Sequence, residues 1–362
     1  MKRPVKPLVL VLGGIALAVL VLLVYVAHIG GVFRTIETRF AGTCSVVSLG
    51  GSSEDIQIDS ARGVAYLSVL NRASVARGEA GTGTLMLLDL NLAEPAPRAA
   101  LTYDPPDFRP HGISRLARAG EPDRLFAISH RADGSHAVEL FEQGSSGTFF
   151  PRETLRDAAF VHPNALAAVG PREFYLVNDT ESSEPEPRFA DVMLQRGHGT
   201  LVYFDGQQAR VVAADLAFPA GIAVSADGSR LYIGEALASR LRIYRRDVRN
   251  GALALDEVVP LQTAPDNINI DADGVLWIAA HPRLLAFQSH VRDPAKRAPT
   301  QVLRFDPRGP KPAGGAPDLR LAQILTDGGS GISAGTVAAH WRNQLLVGAL
   351  LDPKVLTCKM NP

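Results

Sequence analysis

The chain has 362 residues, of which 46% are hydrophobic. Its 37 basic and 37 acidic side chains give a formal net charge of zero. This balance, without a basic stripe along the sequence, gives no electrostatic signature of a nucleic-acid-binding protein. The length allows one large or two ordinary domains, each with a sizeable core.

The first predicted element is an uncharged apolar run over residues 8–27, preceded by three basic residues. About 20 apolar residues span a bilayer as a helix, whereas the core of a cleaved signal peptide has about 7–15. No clear A-x-A cleavage site follows. The pattern predicts a cytoplasmic tip and a signal-anchor transmembrane helix within 1–33. A long cleaved signal peptide is the alternative, and both hypotheses place 34–362 on the periplasmic or extracellular side.

The chain has two cysteines, Cys44 just after the apolar run and Cys358 near the C-terminus. One cysteine at each end of the folded part of an exported chain favours a disulfide that joins the two ends. Closing so long a loop would remove on the order of 5 kcal/mol from the unfolded state. Two unrelated buried thiols are the alternative.

Six later segments share one pattern: a polar or small pair, an alternating apolar triplet, a turn and a strongly apolar strand. They begin at Glu54, His111, Asn164, Ala220, Asp266 and Gly335. Further strand patterns lie between them, at 83–90, 136–142, 199–206, 239–247 and 300–306. No amphipathic helix of useful length is predicted outside the N-terminal run. Six units of roughly 50 residues, each with about four strands, predict an all-β fold, a six-bladed β-propeller, with a β-sandwich as the alternative.

The pair that opens each repeat predicts where a site lies. In a propeller the first strand of each blade lines the central channel, so equivalent positions converge there. The pairs are Glu54-Asp55, His111-Gly112, Asn164-Ala165, Ala220-Gly221, Asp266-Asn267 and Gly335-Thr336. Hard oxygen ligands with about two negative charges suit Ca²⁺. The alternative is that these residues only cap strand ends in turns.

An ordered set of motifs in this column resembles the paraoxonases, which are calcium-dependent lactonases and arylesterases. The motifs are "GSSEDIQID", "RPHGIS", "PNALAAVGPREFYLVND", "DNINIDADGVLWIAAHP" and the closing "VLTC". The resemblance runs from about Cys44 to Cys358 and implies a six-bladed propeller hydrolase. Gluconolactonase-like and strictosidine-synthase-like propellers share this fold but lack the combination of "PHGIS" with the terminal cysteines.

The resemblance also implies the ligands of a catalytic calcium ion in the channel. The matching residues are Glu54, Asn164, Asp266 and Asn267. The family's remaining asparagine falls on Ala220, whose side chain cannot bind a metal. A water molecule can fill that position, because two carboxylates remain.

A second, structural calcium ion is implied less completely. Asp55 and the backbone carbonyl of Ile113 match two of its ligands, but the last carboxylate falls on Ala165. The sequence therefore predicts one calcium ion and leaves the second without a full set of ligands.

Two histidines match the catalytic pair of the family. His111 lies in "RPHGIS", and His130 ends the apolar strand "RLFAISH". A neutral imidazole can take a proton from water, and a second one can orient it or pass the proton on. His281 is expected to line the pocket without doing chemistry. The remaining histidines are expected to be ordinary core or surface residues: His28, His136, His162, His198, His290 and His340.

No motif for a serine nucleophile or a zinc site competes with this hypothesis. The predicted function is a calcium-dependent hydrolase of lactones or aryl esters, with a small-molecule substrate, a membrane contact through the N-terminal helix and no nucleic-acid partner. One alternative is a non-catalytic binding module whose metal staples the channel. Another is a gluconolactonase-like or strictosidine-synthase-like enzyme. Segments 70–83 and 181–199 are expected to form loops over the channel mouth and to set specificity.

Overall fold

The structure is a computed structural model that describes residues 7–181, 196–314 and 316–361. The N-terminal apolar run forms helix α1 (Pro7–Ile29). Its stretch Val11–Ile29 is long and apolar enough to cross a membrane, and no residue of that stretch is buried. The predicted N-terminal apolar helix is confirmed, as a candidate membrane span or signal anchor.

The described residues after α1 form six antiparallel sheets, the blades of a propeller. Two strands precede the first blade, β1 (Arg39–Phe40) and β2 (Gly42–Ser48). Blade 1 contains β3 (Ser52–Asp59), β4 (Val64–Leu70), β5 (Thr84–Asp89) and β6 (Arg98–Ala99). Blade 2 contains β7 (Pro110–Leu116), β8 (Arg124–His130), β9 (His136–Gln143) and β10 (Phe149–Leu155). Blade 3 contains β11 (Pro163–Ala168), β12 (Glu173–Asn178), β13 (Gly199–Asp205) and β14 (Ala209–Leu216).

The second half of the ring has the same plan. Blade 4 contains β15 (Pro219–Val224), β16 (Arg230–Glu235), β17 (Arg240–Arg246) and β18 (Leu253–Pro260). Blade 5 contains β19 (Ala264–Ile270), β20 (Leu276–His281), β21 (Thr300–Phe305) and β22 (Leu321–Asp327), with β1 added at its outer edge. Blade 6 contains β23 (Gly335–Trp341), β24 (Gln344–Ala349) and β25 (Lys354–Met360), and β2 is its outermost strand. The prediction of a six-bladed propeller is confirmed.

The hydrophobic core lies between the blades. Each pair of adjacent blades encloses its own cluster of buried side chains. The middle strands are therefore buried on both faces, which is why β4 ("VAYLSVL") and β20 ("LWIAAH") are nearly continuous apolar runs. This packing fixes the six inner strands β3, β7, β11, β15, β19 and β23 side by side around the channel.

A β-bulge interrupts the inner strand of every blade close to its start. The register shifts fall between Ser53 and Ile56, Pro110 and Ile113, Pro163 and Ala165, Pro219 and Gly221, Pro265 and Ile268, and Gly335 and Val337. A bulge takes a residue out of the ladder and re-aims its side chain. The residues that these bulges skip belong to the predicted channel column, so the recurrence seen in the sequence is a recurrence of bulges.

The ring is closed by the two ends of the folded part. Strand β2 pairs with β25 along its whole length, and Cys44 lies directly opposite Cys358. The two cysteines form a disulfide, and neither thiol is free. The predicted cross-link is confirmed, and the alternative of two unrelated thiols is wrong.

Among the residues that the structure describes, two helices lie in the connections of the propeller, α2 (Arg72–Ala76) and α3 (Leu284–Arg292). The expectation of no useful amphipathic helix was wrong for α3. Its nine residues follow Pro282 and make only about two and a half turns, too few for a clear helical period. Helix α2 lies within the predicted mouth segment 70–83, whereas 182–195 of the other predicted loop lies outside the described residues.

Candidate active site

A cavity of about 380 Å³ opens at the end of the channel where the inner strands begin. Its floor is polar and comes from five blades, with Glu54, His111, Asn164, Asp266 and Thr336. Its wall is mainly apolar and includes Phe218, Leu284, Leu285, Phe287 and Val291. Ala220, the channel position of blade 4, also lines the cavity. The structure thus brings one residue of each predicted pair together at a single concave surface.

Glu54 is buried at the centre of this floor. The side-chain amide of Asn267 donates to Glu54 Oε1 over 2.8 Å and to its backbone carbonyl over 3.1 Å. The hydroxyl of Thr336 donates to the same carbonyl over 2.8 Å. Among the described residues, Glu54 Oε2 and Asn164 Oδ1 are buried without a hydrogen-bond partner. An unsatisfied buried oxygen costs about 1–3 kcal/mol, so a cation at this point would stabilise both.

Asp266 is held from the side by a histidine. Nε2 of His281 donates to Asp266 Oδ2 over 2.8 Å, and both residues are buried. The ring of His281 stacks on Phe287 of α3, with the ring centroids 3.8 Å apart. The helix that the sequence did not predict therefore fixes the partner of a predicted ligand. His281 does line the cavity, as expected.

The floor carboxyl groups are electrostatically strained without a cation. Burial, and then the charges of Asp266 and Asp55, raise the pKa of Glu54 well above its usual range. Burial raises the pKa of Asp266 as well, although the hydrogen bond and charge of His281 act in the opposite direction. A bound divalent cation would restore the ionised state of both groups.

The donor set fits a hard cation. In residues 7–181, 196–314 and 316–361, no three histidine, cysteine, aspartate or glutamate side chains converge to hold a metal. Any ion at the floor would have to draw on carboxamide and water oxygens beside Glu54 and Asp266. Calcium accepts that mixture and tolerates irregular geometry, whereas a zinc site is built from histidine and cysteine with few ligands. The buried methyl group of Ala220 supplies no oxygen, so water has to complete the shell.

The residues of the implied second site do not fit an ion in the same way. Asp55 Oδ1 accepts the backbone N–H of Ile56 over 2.7 Å, and Oδ2 accepts that of Ile113 over 2.8 Å. Both oxygens are therefore already paired, and Ala165 contributes none. Even so, burial raises the pKa of Asp55 to about 7 against the lowering effect of those two N–H groups.

The two predicted catalytic histidines lie next to each other. Nε2 of His111 is 3.7 Å from Glu54 Oε1, and the rings of His111 and His130 meet edge to face at 4.9 Å between centroids. His130 continues to a residue that the sequence analysis treated as ordinary, because its Nδ1 is 2.9 Å from Nδ1 of His136. These two face each other across the β8–β9 hairpin. In the sequence, the one sign that these two histidines would meet is that they lie symmetrically on either side of that turn.

The row of imidazoles ends at a hydrogen-bonded pair of His162 and Asp179. The rings of His136 and His162 are 5.7 Å apart, and His162 Nδ1 is 2.6 Å from Asp179 Oδ1. The other carboxylate oxygen of Asp179 accepts from the side-chain amide of Asn164 over 3.3 Å. His162 was also expected to be ordinary, and nothing in the sequence separates it from a core histidine. The hydrogen bond between Asn164 and Asp179 therefore links the end of the row to the channel floor.

The histidines in this row differ in their ionisation. Burial, and then the neighbouring imidazoles, lower the pKa of His111 and His130 well below the usual value. Burial and His162 also lower the pKa of His136. Burial opposes the charged form of His162, but the hydrogen bond and charge of Asp179 outweigh it and raise its pKa. At neutral pH the histidines nearest the cavity are neutral and can accept a proton.

Comparisons with known proteins give a consistent result. A family model described as Arylesterase matches residues 37–360. Serum paraoxonase/arylesterase 1 of Rattus norvegicus is 30% identical over 284 residues, covering 77% of each chain. Serum paraoxonase/arylesterase 2 of Homo sapiens is 26% identical over 336 residues, covering 90% of this chain and 91% of that one.

Solved structures agree on the architecture. A luciferin-regenerating enzyme superposes with a TM-score of 0.53 at 13% identity, over 88% of this chain and 95% of the other. A protein described as a putative gluconolactonase superposes with a TM-score of 0.53 at 15% identity, over 90% and 98%. At such low identity these matches support the propeller fold alone.

Proposed function

Because the chain belongs to the arylesterase family and is a hydrolase of the esterase and lactonase class, we propose that it opens lactones or cleaves aryl esters at the channel floor, with His111 as the base that activates water. The observation that carries this proposal is the convergence in one cavity of two unpartnered buried oxygens, on Glu54 and Asn164, with the neutral imidazole of His111.

The floor would hold one calcium ion through Glu54, Asn164, Asp266 and Asn267. When bound there, a calcium ion polarises the carbonyl of the substrate and stabilises the negative charge that develops on its oxygen. The residues of the chain do the rest. His281 keeps Asp266 in place, and the amide of Asn267 keeps Glu54 in place.

His111 handles the proton. Its lowered pKa keeps the imidazole neutral, so it can take a proton from water as the water attacks the carbonyl carbon. The same low pKa makes the imidazolium a ready donor to the departing alkoxide or phenoxide. His130, edge-on to His111 and bonded to His136, orients the first ring and can hold the proton meanwhile.

The wall of the cavity selects for substrates with an apolar part. Phe218, Leu284 and Leu285 surround the space above the floor, and α3 covers one side. Apolar side chains exclude water from the bound carbonyl and position the acyl or aryl group. A small, mostly apolar lactone or ester matches this lining.

The test is hydrolysis by the full-length chain in detergent. Simple lactones and phenyl acetate should be turned over in millimolar calcium, and EGTA should abolish turnover. His111→Gln should lower kcat by about 10²- to 10⁴-fold with little change in melting temperature. No turnover on any lactone or ester would contradict the proposal, and full activity of His111→Gln would remove His111 as the base.

We also propose that α1 is an uncleaved signal anchor, with 1–33 as tip and membrane segment and 34–362 as a catalytic domain on the periplasmic or extracellular side. The support is the apolar stretch Val11–Ile29 with basic residues before it. Mass spectrometry of the membrane-bound protein should find the N-terminal residues still attached. Protease added outside the membrane should reach the propeller, and protection from that protease would reverse the proposed orientation.

A further inference from the structure

His130 and His136 face each other across the hairpin that joins β8 to β9, because the two residues are paired in the ladder. Side chains of directly opposite residues in an antiparallel pair lie within contact distance. Two backbone hydrogen bonds hold the turn between them: the N–H of Arg131 donates to the carbonyl of Ser135 over 3.0 Å, and that of Gly134 donates to the carbonyl of Arg131 over 3.1 Å. The backbone of one hairpin therefore brings the two imidazoles together.

The contact between the two rings fixes where their protons lie. Nδ1 of His130 is 2.9 Å from Nδ1 of His136, which is the distance of a hydrogen bond. Of two neutral imidazole nitrogens this close, one has to carry a proton and the other has to present its lone pair. The tautomer of His136 therefore determines the tautomer of His130.

A second acceptor decides the direction of this hydrogen bond. Burial lowers the pKa of His136, whereas the hydrogen bond from its ring to the carbonyl of Val161 acts in the opposite direction. Since Nδ1 of His136 is turned to His130, Nε2 is the nitrogen that donates to this carbonyl. In the neutral ring Nδ1 is then the acceptor, so His130 carries its own proton on Nδ1. Nε2 of His130 is left unprotonated.

We propose that His136 is a positioning residue, which holds His130 in the tautomer with its proton on Nδ1 and so keeps Nε2 of His130 ready to accept a proton from the neighbouring ring of His111. The proposal rests on the proposed function, in which His111 is the base. The rings of His111 and His130 are 4.9 Å apart between centroids, and Nδ1 of His130 is already engaged by His136. A proton can therefore enter His130 only at Nε2, and the opposite tautomer would block this step.

The transfer breaks an N–H bond of His111 and forms one at Nε2 of His130. His130 then has two N–H groups, and the one on Nδ1 still donates to His136. Because the donor is now charged, this hydrogen bond becomes stronger and stabilises the protonated ring. The proton returns to His111 from the same nitrogen, so each turnover leaves His130 in its original tautomer.

The tautomer of His130 is measured first, and this measurement needs no substrate. The full-length chain in detergent is labelled with ¹⁵N in its histidines, and His130→Gln identifies the ring-nitrogen signals of His130. The Nδ1–H form is expected in the unchanged protein and in His136→Asn, whose side-chain oxygen can accept the same hydrogen bond. His136→Leu offers no acceptor and should no longer hold His130 in the Nδ1–H form alone.

Kinetics on phenyl acetate test whether the tautomer matters to the reaction. His136→Leu should lower kcat at least about 10-fold with little change in KM, short of the ~10⁴-fold cost of a wrong tautomer where the imidazole is itself the base. His136→Asn should recover most of that loss. Equal losses of kcat in the two variants overturn the proposal, and so does a rise in KM without a fall in kcat.

A double-mutant cycle checks that His136 acts through His130. His130→Gln combined with His136→Leu should be no slower than His130→Gln alone, and additive losses overturn the proposal. If a variant fails to fold, the spectrum of the unchanged protein still decides, because an Nε2–H form of His130 there overturns this inference alone. No turnover by the unchanged protein would contradict the proposed function instead, whatever tautomer His130 has.

Discussion

Ala220 is the residue at which the proposed calcium site is weakest. It lies at the bulge of β15 and lines the cavity without offering an oxygen. Ala220→Asn should tighten calcium binding about tenfold or more, because a carboxamide would replace a water ligand. Titration against a chelator measures the dissociation constant.

Two further variants serve as controls for that measurement. Ala236→Asn places the same carboxamide in the same cavity outside the channel column and should not tighten binding. Asp266→Ala removes one of two floor carboxylates and should abolish it. Equal affinity of Ala220→Asn and the unchanged protein would show that this position does not face the ion.

Among single residues, the sequence predicted the members of the channel column but not all of the histidines beside it. Glu54, Asn164 and Asp266 were predictable because they recur at one position of a repeat. His136 and His162 were not, because each lies in a different strand or turn and meets its neighbours only after the blades have packed. A lone histidine has the same appearance in the sequence whether it lies in a core or in a row of imidazoles.

At the scale of single elements, α3 connects the wall of the cavity to the floor. Phe287→Ala would remove the ring on which His281 stacks, and His281 orients Asp266. Outer partners of metal ligands typically contribute 10- to 100-fold to affinity or activity. We therefore expect Phe287→Ala to weaken calcium binding by about 10-fold, measured by chelator titration.

Val291→Ala is the matched control for this prediction. Val291 belongs to the same helix and lines the same cavity. The Val291→Ala variant should leave calcium affinity unchanged. If both variants weaken binding equally, the effect belongs to the helix as a whole and not to the stack on His281.

An ion pair joins the segment before β21 of blade 5 to the turn between β24 and β25 of blade 6. Both guanidinium nitrogens of Arg297 donate to Asp352, over 2.6 and 2.7 Å, and the N–H of Ser333 donates to it over 3.0 Å. Burial would raise the pKa of Asp352, but the hydrogen bonds and charge of Arg297, with the N–H of Ser333, outweigh it and hold the pKa below its usual value. The pair therefore stabilises the fold above pH 4, and the stabilisation is lost as the pH falls through the lowered pKa.

Asp352→Asn should reduce the free energy of unfolding by roughly 1–2 kcal/mol, a modest value because Arg297 is partly exposed. Denaturant unfolding should give the same difference from pH 5 to 8 and a shrinking one below about pH 4. A difference that stays constant down to pH 2.5 would mean that the charge of Asp352 contributes nothing.

For whole elements, the sequence predicted strands better than helices. Each blade presents an apolar strand buried on both faces, and this pattern repeats six times. Helix α3 has no such repetition and is too short for its own period to stand out. The bulges were visible only as polar or small pairs, since a register shift depends on the partner strand.

At the scale of the whole molecule, one disulfide reinforces the β2–β25 ladder that closes the ring. Cys44→Ala combined with Cys358→Ala would free β2 from β25 in the unfolded state and would open a loop with a sequence separation of 314. The chain-entropy model gives a loss on the order of 5 kcal/mol. The denaturant midpoint should fall clearly, and reduction of the unchanged protein should reproduce the shift. An unchanged midpoint would mean that the β2–β25 ladder alone closes the ring.

The overall ring was predictable because repeat number and strand content leave few alternatives. Its closure by a strand from the other end of the chain was predictable only through the two cysteines. The apolar wall of the cavity was not, since α3 comes from a connection outside the repeat. Residues outside the repeat have no equivalents in the other blades, so the repeat pattern does not predict where they lie.

The pairing of β2 with β25 also sets an order of events during synthesis. Strand β2 leaves the ribosome early, yet its ladder partner is made 314 residues later. At about 5–20 residues per second, this delay is roughly 15–60 s. During that interval an unpaired strand edge and a reactive thiol are exposed in the growing chain. The first strand of the last blade to be made is thus also the last to be paired, and the ring is completed only after β25 has been made.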